Sequence, residues 1–233
     1  MSKSVNVYNS YNYERCRAAE FRAVAEPAGT PLSPPKMALV TSFLNSRKKI
    51  TWYNSLGEEM RIGIVIPYYE NQRIMRDKLE WLLEILKEQL DNEITIVIVD
   101  DGTKAYWIDE YKDICVIHSK QNGGVSIARN IGLDYLDKKD IDYVGFIDGD
   151  DSVSSDYINE ARKLMLLGYD FIDSRFVQEG LEIFGSIKGN NRLKEIIRGG
   201  VAGTFIKKEI IGNARFDEKL QIGEDTKFVS EVI

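Results

Sequence analysis

Histidine is nearly missing from this chain and cysteine is scarce: His118 stands alone, and Cys16 and Cys115 lie far apart. Neither residue type has the spacing of a zinc or iron site. The two cysteines read as free thiols, which suits a reducing compartment. No apolar run approaches the roughly 18 residues that cross a bilayer. The longest, Ile62 to Tyr69, is interrupted by Gly63 and Pro67. An integral membrane segment is therefore not expected. No secretory signal opens the sequence, so the expectation is a cytoplasmic protein. An excess of positive charge is also missing. The net charge is -6 over 233 residues, which argues against a broad nucleic-acid surface. A carboxylate-lined pocket that holds a cation suits that sign.

What is present divides unequally. Four of the five prolines lie between Pro27 and Pro35, and residues 1–60 carry eight basic and five acidic side chains. Those sixty residues show no sustained period of 2 or 3.6 and read as an arm or linker with little regular structure. From Arg61 onward the pattern is regular. Apolar β-branched runs predict strands at Ile62–Pro67, Ile94–Val99, Cys115–His118, Tyr143–Ile147 and Tyr169–Val177. Helical spacing predicts helices at Asp77–Leu90, Ser126–Leu136 and Asp156–Leu167. Alternating strands and helices imply an α/β domain over 61–233, built on a mostly parallel sheet with both faces covered. Such sheets bind ligands beyond the carboxyl ends of their strands, where the strand order reverses.

The polar residues that follow each strand are therefore the informative ones. Pro67-Tyr68-Tyr69-Glu70 follows the first strand, Asp100-Asp101-Gly102 the second, and Asp148-Gly149-Asp150-Asp151 the strand at Tyr143. Three carboxylates in four residues repel one another unless something offsets their charge. A hard divalent cation such as Mg²⁺ or Mn²⁺ does so, because it prefers oxygen ligands. Read alone, Asp148–Asp151 is more simply a solvated turn. Its place directly after an apolar strand favours a site. Asp101 reads equally as a turn residue or as an acceptor for a nucleoside donor. Ser126, after Gly123-Gly124, can cap a helix start. Arg129 on the first turn faces either a diphosphate or the acidic rim; a surface ion pair of little worth is the plainer alternative. Glu224 and Asp225 open a last helical pattern, where the dipole favours acids and where a general base can also stand. His118 reads as structural or as a surface residue.

Taken in order, five stretches resemble the family 2 glycosyltransferases: IVIPYYEN (64–71), IVIVDDGT (96–103), QNGGVSIARNIGLD (121–134), VGFIDGDD (144–151) and RFDEKLQIGEDTKF (215–228). The resemblance covers about residues 61–233. It implies a GT-A fold, a Rossmann-like α/β domain, and inverting transfer of a sugar from a nucleotide donor, often UDP-linked, to a hydroxyl acceptor such as a glycan. By motif position, Pro67 and Tyr68 would line the nucleoside pocket, with Glu70 close by. Asp101 would contact the base, and Arg129 would lie near the nucleotide. Asp148 and Asp150 match the family's DxD pattern, with Asp148, beside Gly149, towards the ribose and Asp150 on a Mn²⁺ or Mg²⁺ ion. Asp225 would be the catalytic base, ahead of Glu224. Glu70 stands where many members have asparagine. The sequence also ends eight residues after Asp225, sooner than is usual for the family. A non-catalytic nucleotide-sugar-binding domain is the first alternative. A nucleotidyltransferase is the second, disfavoured because no Gly-rich basic phosphate loop follows the first strand.

Overall fold

The computed structural model describes residues 59–178, 181–187 and 200–232. The expected arm lies outside them, apart from its last two residues, Glu59 and Met60.

The described residues build one seven-stranded sheet, in the order β3-β2-β1-β4-β7-β5-β6. The strands are β1 (Ile62–Tyr68), β2 (Ile94–Asp100), β3 (Cys115–His118), β4 (Tyr143–Phe146), β5 (Phe171–Gln178), β6 (Leu181–Ile187) and β7 (Thr204–Lys207). β1 pairs in parallel with both β2 and β4, and β2 with β3. β7 runs antiparallel to β4 and to β5, and β6 antiparallel to β5. Hence β1 to β5 share one direction and only β6 and β7 oppose it, which fits the mostly parallel sheet expected. β1 is the reversal point: the chain moves outward from it to β2 and β3, then returns to its other side at β4. A crevice forms where the strand order reverses in this way.

Among the described residues, two helices cover one face, α1 (Arg73–Lys87) and α3 (Tyr157–Leu166). Leu79, Leu82, Leu83 and Leu86 of α1 are fully buried against Ile62, Ile64 and Ile66 of β1 and Ile96 and Ile98 of β2. Each buried leucine contributes roughly 1.5 to 3 kcal/mol. α1 begins at Arg73, four residues before the predicted start. Its first turn, Arg73-Ile74-Met75-Arg76, leaves Ile74 exposed and Met75 only partly buried, so it adds no fully buried position to the leucine period. It is held instead by the i,i+4 pairs Arg73–Asp77 and Arg76–Glu80.

The other face carries α2 (Val125–Leu136) and α5 (Glu224–Val232); the short α4 (Lys208–Ile211) packs beside them. α2 sits tightly on β1. A Cβ on Gly132 would stand 2.4 Å from Val65 Cγ1, so glycine is what allows the approach. Phe146, Phe216 and Phe228 fill the space under α5, with Phe216 and Phe228 stacked at 4.0 Å. Gly124 holds the N-cap position of α2 with φ of 91°, and its helix begins without a side-chain cap. Ser126 is therefore not the cap expected of it. It falls on the second helical residue, where its buried hydroxyl finds no partner.

Candidate active site

The carboxyl end of β1 is tied to both neighbouring strand ends. The Asp101 amide donates to Tyr68 O at 2.8 Å, and the Gly149 amide to Pro67 O at 3.3 Å. Pro67 and Tyr68 thus form the floor between the two acidic loops. A Cβ on Gly149 would lie 3.0 Å from Tyr68 Cδ2 and 3.1 Å from Pro67 O, so the DxD-like loop needs glycine there to lie on that floor.

Tyr68 is buried, and its hydroxyl donates to Glu70 Oε2 at 2.9 Å. Trp107 Nε1 donates to the same oxygen at 2.8 Å, while the Arg76 guanidinium lies 4.5 Å over the Trp107 ring. Burial, then the adjacent Glu70 carboxylate, holds the Tyr68 phenol above its ordinary value. Glu70 is therefore a clamp between Tyr68 and Trp107. Tyr69 is the aromatic of this turn that stays open to solvent.

The two aspartates ending β2 organise separate loops. Asp100 is fully buried and accepts from the amides of Thr103 and Ala105, both at 2.9 Å, and from the Thr103 hydroxyl. His118 Nδ1 lies 2.8 Å from the same carboxylate, and its Nε2 lies 3.1 Å from Asp109. Burial would raise the Asp100 carboxyl, but hydrogen bonds led by Thr103 and His118 hold it below its ordinary value. His118 has the structural place expected for it. Asp101 accepts from the amides of Gly123 and Gly124, both at 2.8 Å, and so fixes the loop that enters α2.

Arg129 joins the remaining acids. Its side chain is 3% exposed, far from the surface pair that was its plainer reading. Nη2 donates to Asp148 Oδ1 at 2.8 Å and Nη1 to Asp225 Oδ1 at 2.6 Å. Glu224 stands 3.9 Å from the same guanidinium, which also lies 5.3 Å over the Phe216 ring. The sequence separation is wide, yet α2, β4 and α5 deliver the three side chains to one point. Asp225 sits in the first turn of α5, where the helix dipole favours a carboxylate, and its Oδ2 accepts from the Val201 amide at 3.0 Å.

The turn Asp148–Asp151 closes with the Asp151 amide donating to Asp148 O at 3.0 Å. Burial, then the charges of Asp148 and Asp150, pushes the Asp151 carboxyl up to about 6. Asp150 is exposed and meets Lys78 of α1 at 3.4 Å. Lys78 and Trp107 had no signal in the sequence that tied them to the site. Both reach it across the fold, from a helix face and from the short 3₁₀ turn Tyr106–Glu110. Among the described residues no three His, Cys, Asp or Glu side chains form a cage for a metal. The donor set is all oxygen and crowded with negative charge. That fits a cation taken by one or two carboxylates, with the other ligands from water and a phosphate-bearing substrate.

The mixed α/β sheet, with acids, an arginine and a glycine turn at its reversal point, has the architecture of the GT-A class. The chain belongs to glycosyltransferase family 2: the family model "Glycosyl transferase family 2" matches residues 63–219. It is 30% identical over 193 residues to the Minor teichoic acid biosynthesis protein GgaB of Bacillus subtilis, covering 73% of this chain and 21% of GgaB. It is 24% identical over 200 residues to Glycosyltransferase GlyA of Streptococcus pneumoniae, covering 71% of this chain and 27% of GlyA. The fold is similar to S. aureus TarS 1-349 in complex with UDP-GlcNAc, with a TM-score of 0.60 and 20% identity. That likeness covers 74% of this chain and 53% of the TarS chain. The chain thus spans about a fifth of GgaB and about half of TarS 1-349. Among the described residues no helix is long and apolar enough to cross a membrane.

Proposed function

We propose that this domain is a metal-dependent inverting glycosyltransferase. It moves a sugar from a nucleoside-diphosphate donor, UDP-linked, to a hydroxyl of a glycan or related acceptor in polysaccharide synthesis. The observation that carries this reading is Arg129, which holds Asp148 and Asp225 together at the sheet's reversal point. The UDP and UDP-GlcNAc complexes of TarS support the choice of donor. A cytoplasmic location goes with it, because the sequence has only two cysteines and they lie far apart.

The chemistry divides among the residues as follows. The nucleoside lies on Pro67 and Tyr68, with Tyr69 and Asp101 offering an aromatic face and an acceptor to the base. Mn²⁺ or Mg²⁺, held by Asp150 and Asp148, would neutralise the charge that grows on the leaving diphosphate. Asp225 takes the proton of the acceptor hydroxyl. The acceptor oxygen bonds to the anomeric carbon from the face opposite the diphosphate. The bond from that carbon to the phosphate oxygen breaks, and its electron pair leaves with the nucleotide. Among the described residues, each carboxylate oxygen of Asp225 accepts one hydrogen bond and keeps a second lone pair for that proton.

The test is release of nucleoside diphosphate from a panel of nucleotide sugars, with acceptors and Mn²⁺ or Mg²⁺ present. The expected result is release that EDTA abolishes, that Asp150→Ala nearly abolishes, and that Asp225→Asn reduces by orders of magnitude while donor binding persists. UDP binding without any release would favour a non-catalytic nucleotide-sugar-binding domain. Full activity in Asp225→Asn would remove the base from that position.

A further inference from the structure

The mechanism above leaves one acidic side chain unused. Asp173 lies on β5, paired in register with Thr204 of β7, and Thr204 pairs in turn with Phe146 of β4. Asp173 is therefore level with the last residue of β4, two residues short of Asp148. It stands two strand spacings, about 10 Å, across the sheet.

Alternation along β5 fixes its face. Ile172 packs with α1 and α3, whereas Phe171 packs with Phe146, Val201 and Phe228. Asp173 shares the face of Phe171, and so the face of α5. Thr204 links the two regions: its hydroxyl donates to Val201 O at 2.7 Å, and the Val201 amide donates to Asp225 Oδ2 at 3.0 Å. Asp173 thus borders the loop that holds the proposed base, on the side away from the nucleotide floor.

Its environment is unusual for a carboxylate. Oδ1 is cut off from water and has no hydrogen-bond partner among the described residues, although the residue as a whole is only partly buried. Burial alone pushes the carboxyl up to about 7; no neighbouring charge or hydrogen bond contributes. Buried acceptors are normally paired. An unpaired one, open at its other edge and beside a reacting centre, is suited to a hydroxyl donor from a substrate.

We propose that Asp173 is a determinant of acceptor specificity. Its carboxyl receives a hydrogen bond from a second hydroxyl of a polyhydroxylated acceptor and turns the reacting hydroxyl towards Asp225. The inference rests on the transferase reading above and adds to it the acceptor class and the residue that reads it.

The full chain, as wild type, Asp173→Ala and Asp173→Asn, is assayed with the best nucleotide sugar. The acceptors are the methyl glycosides of glucose, galactose and their N-acetylamino forms, each beside its monodeoxy analogues. In both variants, nucleoside-diphosphate release without acceptor and donor KM stay within about twofold of wild type. Acceptor KM rises about tenfold to a hundredfold, as for loss of a hydrogen bond to a charged group. One monodeoxy acceptor loses the same factor with wild type and nothing further with Asp173→Ala. An unchanged acceptor KM, with only a higher melting temperature in Asp173→Asn, overturns the proposal and leaves a plain buried carboxyl. Absence of release by wild type with every donor overturns the transferase reading itself, and this proposal with it.

Discussion

Arg129 Nη1 donates to Asp225 Oδ1 at 2.6 Å, across 96 residues of sequence. The second arm of the same guanidinium takes Asp148, so one cation joins the Asp148–Asp151 turn to the proposed base. A planar fork can serve two carboxylates at fixed angles, and a lysine ammonium cannot.

Arg129→Lys is expected to fail as a substitute. It leaves Asp148 and Asp225 as near neighbours of like charge with one partner between them. Breaking a buried pair costs about 3 to 5 kcal/mol. The lower end applies here because Asp148 is 34% exposed. Urea unfolding should show a loss of roughly 3 kcal/mol. Nucleoside-diphosphate release should fall at least about a hundredfold, as for a misplaced reacting group. A rate near wild type in Arg129→Lys would remove the bridge from the mechanism.

Gly132 tests the packing that sets the bridge in place. Arg129 is presented by α2, and α2 reaches β1 closely because Gly132 has no side chain; an added Cβ would lie 2.4 Å from Val65 Cγ1. Val65 is fully buried in the middle of β1 and cannot retreat. Gly132→Ala should destabilise the domain by about 1 to 3 kcal/mol through overpacking, despite alanine's better helix propensity. A urea midpoint at or above that of wild type would contradict the close helix-to-strand approach.

The His118 clamp predicts a pH dependence with a definite sign. Burial would lower the imidazole pKa, but hydrogen bonds to Asp100 and Asp109 raise it above 6.5. A group raised by folding stabilises the native state fully below its unfolded value and loses that contribution as pH climbs through the raised one. Asp100 acts in reverse: its pKa is lowered, so its contribution is lost only in acid. His118→Gln keeps a neutral donor and removes the charge. Its melting temperature should lie below that of wild type at about pH 6, and the gap should close as pH rises towards about 9. A gap that is constant across that range would mean that the ring acts without its charge.

Much of this organisation is legible in the sequence because it is carried by local chemistry. Apolar β-branched runs located β1, β2, β3 and β4 to within a residue or two. The acids at their ends follow from the chain direction of a parallel sheet. The antiparallel half was less legible. β7 is four residues long and owes its place to β4 and β5 on either side, which no local period reveals. The cap of α2 was misread because Ser126 is a good capping residue by type. The loop is instead fixed from outside, by Asp101 through the amides of Gly123 and Gly124. Asp173 looked like an ordinary strand residue. Only its missing partner and its register with Thr204 set it apart.

Gly200 offers a way to move the proposed base without touching it. A Cβ there would lie 2.7 Å from Asp225 Oδ2, with the next contacts at 3.9 Å or beyond. The carboxylate must yield against its own hydrogen bonds, Oδ1 to Arg129 at 2.6 Å and Oδ2 to the Val201 amide at 3.0 Å. Gly200 itself is exposed and its φ is not positive, so alanine brings no backbone strain and no cavity. Gly200→Ala should therefore lower the melting temperature slightly, by strain on those two hydrogen bonds, and leave the donor KM almost unchanged. It should lower kcat about tenfold to a hundredfold, because a displacement near 1 Å at a reacting group costs that much. Asp225→Asn should lose more, and the double variant should lose no more than Asp225→Asn alone, since the methyl acts only through that carboxylate. If the two losses multiply instead, Gly200 acts on something other than Asp225, and the base belongs elsewhere on the acidic rim.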